Sequence, residues 1–290
     1  MGVLTGLCYP TKLFLKLADH TYVQCGSGAV AWGCWGGKTG GNPICSGTGS
    51  TARADAIAGR KERAGITCYL INGVCHQAAN RVLLPARKLV STARGYWVSS
   101  ALFGTYGRPR GPLGLCKAPF DQHVNVTGDL PPCITGQTPR PEPRSEFTAA
   151  QIAMHEKYLE GVLDLYTRTG TSHAVMEDEF ERVGFMVEHF LLTARYRLGR
   201  MFEESINERL RDLHQRFEQA RLKLESQLSE REINPPQFME DFARYTVEYQ
   251  EAMANFLFPE QYRSLFGLEP GENVVLGDPE IMEQSFNDWS

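Results

Sequence analysis

No stretch of this 290-residue chain approaches the roughly 18 consecutive apolar residues that a membrane-spanning helix requires, so no membrane association of that kind is expected. The first twenty residues lack a secretion signal too. Lys12, Lys16 and Asp19 stand where a signal has its apolar stretch, and a cytoplasmic protein is expected. C-x-x-C pairs are missing. Among the eight cysteines the closest two, Cys68 and Cys75, have six residues between them, which excludes zinc-ribbon and ferredoxin spacings. No metal and no cofactor is therefore expected, and without an export signal the cysteines read as free thiols, most of them small buried hydrophobes. There is no internal repeat and no low-complexity tract. What is there is 42% hydrophobic and 22% charged residues, enough for one large core or two ordinary domains.

The net charge of -4 hides a division. Residues 1–146 hold 16 Lys and Arg against 7 Asp and Glu, whereas residues 147–290 hold 14 against 27. All eight cysteines lie in the first part, and the second is dominated by Glu, Arg, Leu, Phe and Met. This is the composition of a loop-rich mixed domain followed by a helical one, whose opposite charges suit packing on each other. Nucleic acid is not the expected partner: Arg53, Arg60, Lys61, Arg63, Arg81, Arg87, Lys88 and Arg94 fall mainly on two predicted helices and read first as a solvated face.

Residues 10–25 mix alternation with β-formers and suit one or two strands, with His20 at the second. Nine glycines between Gly26 and Gly49 frame a short aromatic strand, Ala29 to Trp35. Ser50 or Thr51 caps a predicted helix over 52–64, stopped by Gly65. A strand over Ile66–Ile71, a turn at Asn72-Gly73 and a helix from Cys75 to Pro85 follow, then a strand pair within 89–106. Residues 107–145, rich in Pro and Gly, read as an irregular cover. A helix is predicted over Phe147–Tyr166, and a long one from the 170s to about Glu232. Ile206, Leu210, Leu213, Phe217, Leu224 and Leu228 form its heptad-like seam. That seam reads first as intramolecular packing and second as a homodimer or partner surface. Helices over Gln237–Leu257 and from Pro259 to Gly267 complete the chain.

The chemistry-bearing feature is Cys75, placed after a turn and at the start of a helix. A helix N-terminus offers unsatisfied N–H groups and a positive dipole end, which favour a thiolate and can hold an oxyanion. A base is needed as well, and imidazole is suited by its pKa. His76 adjoins Cys75 but would point about 100° away on a helix, and His123 lies in the cover. His20, in a strand followed by Trp32-Gly33 and Trp35-Gly36, is the better partner. Gly47-Thr48-Gly49-Ser50-Thr51 looks like a phosphate cradle but lacks the Gly-Lys-Ser/Thr ending, so a capped Gly-rich turn is expected. His155, Glu156, Glu177, Glu179, Glu181, Glu188 and His189 lack the Glu-x-x-His spacing of a di-metal site and read as charged faces.

A histidine on an early strand, a Gly- and Trp-rich strand after it and a later cysteine opening a helix resemble the circularly permuted papain-like arrangement of the NlpC/P60 superfamily and its acyltransferase relatives, over roughly residues 15–105. The resemblance implies Cys75 as nucleophile and His20 as base. The family's third polar residue would follow on the next strand, but Ala29 to Trp35 carries no His, Asn, Asp or Gln. Gln24, which shares strand parity with His20, is the candidate to orient it or to donate to an oxyanion. Trp32 and Trp35 are candidates to line a substrate pocket.

The expected fold is α+β: a papain-like mixed domain over 1–130, a Pro-rich linker over 131–146 and an antiparallel helical domain with a long helix over 147–290. The expected activity is a cysteine-dependent hydrolase or acyltransferase acting on a peptide, amide or ester substrate. The alternative is a non-catalytic binding or assembly protein with a basic domain and a helical dimerisation or partner-binding region.

Overall fold

The computed structural model describes residues 1–10, 18–25, 30–32, 37–58, 63–66, 68–109, 148–169 and 178–287. An antiparallel sheet opens the chain, with β1 (Gly2–Pro10) and β2 (Asp19–Cys25) at its centre and β3 (Val30–Trp32) and β4 (Asn42–Gly49) outside them, in the order β3-β2-β1-β4. In the β1–β2 register Tyr9 stands opposite His20 and Cys8 opposite Thr21. Helix α1 (Thr51–Ala58) is started by Ser50, whose hydroxyl accepts from Arg53 N at 3.3 Å. Helix α2 (Cys75–Leu83) then packs on the sheet. A Cβ at Gly6 would lie 3.2 Å from Leu83 Cδ1 of this helix and 2.7 Å from Cys45 Sγ of β4. Gly49 answers a similar need: a Cβ there would lie 2.8 Å from the Pro85 backbone. The Gly-rich run before α1 thus serves close chain approach along β4.

Helix α3 (Tyr96–Phe103) and six further helices complete the molecule: α4 (Ala149–Thr169), α5 (Glu179–Leu198), α6 (Glu204–Ser229), α7 (Pro235–Phe256), α8 (Pro259–Phe266) and α9 (Pro279–Asn287). None is long and apolar enough to cross a membrane among the described residues. The mixed α+β class agrees with the sequence reading, and four local expectations are corrected. Residues 89–106 form no strand pair. Tyr96–Phe103 is a helix buried on every side, so its aromatic and β-branched residues carry no helical period to read. The described residues of 66–71 form no strand either, since Leu70 turns left-handed (φ 62°) and Leu70 N bonds back to Gly73 O at 3.1 Å. The long helix is two. Gly199 (φ 53°) ends α5 and caps it with an N–H bond to Arg195 O, and α6 starts at Glu204. The cysteines are not all thiols: Cys8, Cys25, Cys45 and Cys75 are free, whereas Cys68 is disulfide-bonded.

One buried core runs from Leu4 through α2 and α3 to Met282. Leu210, Phe217, Leu224 and Leu228 of the α6 seam are buried within the chain itself, between α5 and α7. The oppositely charged halves meet directly. Arg94 pairs with Glu272 at the surface, and Arg108 reaches Glu218 and Glu225 in the interior.

Candidate active site

Cys75 is the first residue of α2 and follows Val74, an extended residue with no side-chain acceptor. Val74 N donates to Gln77 Oε1 at 3.1 Å, but nothing on Val74 caps the next N–H groups. Helix starts normally carry Ser, Thr, Asp or Asn here, and a valine supplies no side-chain oxygen to the N–H groups at the positive end of α2.

Strand β2 reaches this helix start through Asp19. The Asp19 carbonyl accepts from His76 Nε2 at 2.9 Å and lies 4.0 Å from Cys75 Sγ. The residue is held from its other side as well, since Asp19 N donates to Arg94 O and Asp19 Oδ2 accepts from Arg94 N. His20 and Thr21 follow directly. His20 is buried between rings, 4.9 Å from Tyr9 and 6.5 Å from Tyr22 by centroid. It hydrogen-bonds the Gly37 carbonyl, which also accepts from Tyr9 Oη at 3.0 Å.

Cys75 and His20 act on each other. Burial is the largest single influence on the Cys75 thiol and would push it up, but the imidazolium of His20 opposes it. The N–H of Thr21 adds to this opposition, and the net shift is downward. For His20, burial opposes the charged form, yet the Cys75 sulfur and the Gly37 carbonyl carry its pKa upward against the repulsion of Lys38. His20 Nε2 has no hydrogen-bond partner, sulfur included, among the described residues. Its influence on the thiol is therefore electrostatic. The two shifts together favour a thiolate–imidazolium pair.

His76 is excluded as the base. Burial lowers its pKa to about 4, so it is neutral. Its Nε2–H donates to Asp19 O, and Nδ1 takes the Ser99 hydroxyl at 2.7 Å, leaving neither nitrogen for a substrate. Gln24 cannot orient His20 directly, because four residues along a strand place it about 13 Å away. It faces Thr5 and Ala31 at the far end of β2, and the group found on His20 is the Gly37 main-chain carbonyl. Trp32 lies at the end of β3; Trp35, His123 and the 131–146 linker lie outside the described residues. The second set of histidines is engaged elsewhere: His189 Nε2 accepts from Thr105 N at 3.0 Å, and His155 Nδ1 meets Tyr196 Oη at 3.0 Å. Among the described residues no three His, Cys, Asp or Glu are placed to hold a metal ion.

Tyr9, Thr21 and Gly37 are the site residues that sequence reasoning did not find. Thr21 had a signal, being the neighbour of His20. Tyr9 had one only through the strand register, and a carbonyl donated by a glycine has none. No family model matches this chain, and neither a curated protein nor a solved structure is similar to it.

Proposed function

We propose that this protein is a cysteine-dependent hydrolase or acyltransferase acting on an amide or ester carbonyl, with a papain-like arrangement of helix-start cysteine and strand histidine. The observation that carries the reading is the placement of Cys75 as the first residue of α2, its Sγ 4.0 Å from the carbonyl of Asp19, the residue before His20; the opposite pKa directions of Cys75 and His20 support it. In the proposed reaction the Cys75 sulfur attacks the carbonyl carbon and forms a C–S bond. The developing oxyanion lies at the uncapped N–H groups of α2. The carbon–nitrogen or carbon–oxygen bond to the leaving group then breaks, and His20 supplies that group with a proton. Water or a second nucleophile, deprotonated by His20, attacks the thioester and frees Cys75. Gly37 O holds the imidazole as the charge on it comes and goes, the role that a polar side chain has in papain-like enzymes. The substrate is a peptide, amide or ester, and no metal enters the chemistry proposed.

The test is acylation by a small activated ester, followed by intact mass and peptide mapping. A single acyl group on Cys75, lost in Cys75→Ala and slowed by about 10²-fold or more in His20→Ala, is expected. Acylation spread over several cysteines, or indifferent to His20, would defeat the proposal.

A further inference from the structure

Five charged side chains meet in the interior, none more than 2% exposed. Glu225 pairs with Arg182 at 2.8 Å, with Arg221 at 3.1 Å and with Arg108, while Glu218 pairs with Arg108 at 2.8 Å. Burying such a group is costly, and apolar residues of the same volume would commonly serve stability as well. The third guanidinium is the informative one. Arg221 donates through Nη2 to Leu70 O at 3.0 Å and Ile71 O at 2.9 Å, and through Nη1 to Leu102 O. Its planar group also lies over Phe103 at 4.5 Å and Phe242 at 5.1 Å.

The carbonyls it grips belong to the segment that leads into the nucleophile. Residues 68–74 have no regular ladder, only an isolated bridge between Tyr69 and Gly73. Leu70 is left-handed (φ 62°), a conformation that is sterically costly for leucine and persists only when its surroundings impose it. Asn72 ties the segment to itself, with Oδ1 accepting from Cys68 N at 3.2 Å and Nδ2 donating to Gly65 O at 2.9 Å. The main-chain grip comes from two arginines of the buried cluster, because Arg108 N also donates to Asn72 O at 2.8 Å. We propose that Arg221 is a positioning residue, whose fork on Leu70 O and Ile71 O sets the Leu70–Val74 turn and through it the place of Cys75 beside the His20 strand. The acidic helical half thereby acts as a buried clamp on the site, and α6 is the element that transmits it. The inference rests on the reading of Cys75 as nucleophile.

Arg221→Lys keeps the charge and loses the fork, whereas Arg182→Met damages the same Glu225 pairing without touching residues 68–74. In the full chain, hydrogen–deuterium exchange over residues 68–76 and the pH profile of Cys75 alkylation are read for both. Arg221→Lys is expected to raise exchange there and to slow Cys75 alkylation at pH 6 by about tenfold, a displacement of one pKa unit. Arg182→Met is expected to lower the melting temperature and leave both readouts at the parent level. Equal changes in the two variants, or a destabilised Arg221→Lys protein with neither readout altered, overturn the proposal. If Arg221→Lys does not fold, Phe242→Leu removes one ring from the guanidinium and is expected to give smaller changes in the same direction; no change overturns it. A parent protein whose Cys75 alkylates no faster than an unstructured cysteine peptide would sink the nucleophile reading, while exchange over 68–76 still decides the role of Arg221.

Discussion

Removing the His20 imidazole should invert the reactivity order of the free cysteines. Cys8 provides an internal reference: burial, with Asp19 and Cys45 beside it, pushes its thiol up to about 11. At pH 8 about one Cys8 in a thousand is then ionised, against about a quarter of an ordinary thiol with pKa near 8.5, a rate handicap of about 200-fold. At pH 6 the ordinary thiol itself is only about 0.3% thiolate. Cys75, with its pKa depressed by His20, should exceed that fraction and label first. In His20→Ala the imidazolium is gone and burial remains, so the Cys75 pKa should rise above the ordinary value and its labelling at pH 6 should fall below that of a free cysteine peptide. The assay is iodoacetamide labelling from pH 5 to 9, followed site by site by peptide mass spectrometry. In the parent protein Cys75 reactivity should vanish as pH falls through its lowered pKa, and the ion pair should weaken as pH rises through the raised pKa of His20. An unchanged Cys75 profile in His20→Ala, or Cys8 labelling as fast as Cys75 in the parent, would refute the electrostatic argument.

Three further outcomes are expected. Glu225→Ala leaves Arg108, Arg182 and Arg221 buried with Glu218 alone and should cost about 3–5 kcal/mol in urea unfolding; a loss below about 1 kcal/mol would mean the cluster is relaxed or hydrated. Acid should unfold the protein steeply, because burial lowers His76 to about 4 and His189 and His214 to about 3 from 6.5, so the unfolded chain binds up to three more protons between pH 6.5 and 4. Stability is full above 6.5 and should fall by about 3–4 kcal/mol from pH 6 to 5; urea curves that coincide at those two values would contradict it. Gly104→Ala should cost about 3 kcal/mol, since Gly104 (φ 72°, ψ 175°) occupies a region nearly closed to other residues and the added Cβ would lie 2.5 Å from Tyr166 Oη; a melting temperature equal to the parent's would show that the turn relaxes freely.

Local signals carried part of the architecture. Pro235 and Asn234 start α7, Pro259 starts α8 and Gly267 (φ 69°) closes it, all at positions where the chain itself announces helix boundaries. Cys75 at the start of α2 was legible for the same reason: the Asn72-Gly73 turn before it and the helix formers after it are contiguous in sequence. The errors lie where tertiary burial overrides local preference. Tyr96–Phe103 is rich in β-formers yet helical, because every side of it is covered and no alternation with solvent remains to be satisfied. The stop at Gly199 was hidden inside a continuous hydrophobic period, and β1 and β4 were missed because their glycines, which weaken a strand taken alone, are required by the helix packed on the sheet.

Residue type and spacing alone therefore determined that a thiol opens a helix, that a histidine precedes it on a strand, and that an acidic helical half follows a basic mixed one. The tertiary structure decided everything that depends on proximity. It brought His20 to Cys75, seated the imidazole on a Gly37 carbonyl that no side-chain pattern encodes, and neutralised His76 by burying it against Asp19 and Ser99. It also placed Arg221, 146 residues after the cysteine, on the carbonyls of the turn before it. Periodicity and propensity describe neighbours along the chain. The charge state of a buried group and the partner of a main-chain carbonyl are set by what folding brings near, and that information is not local.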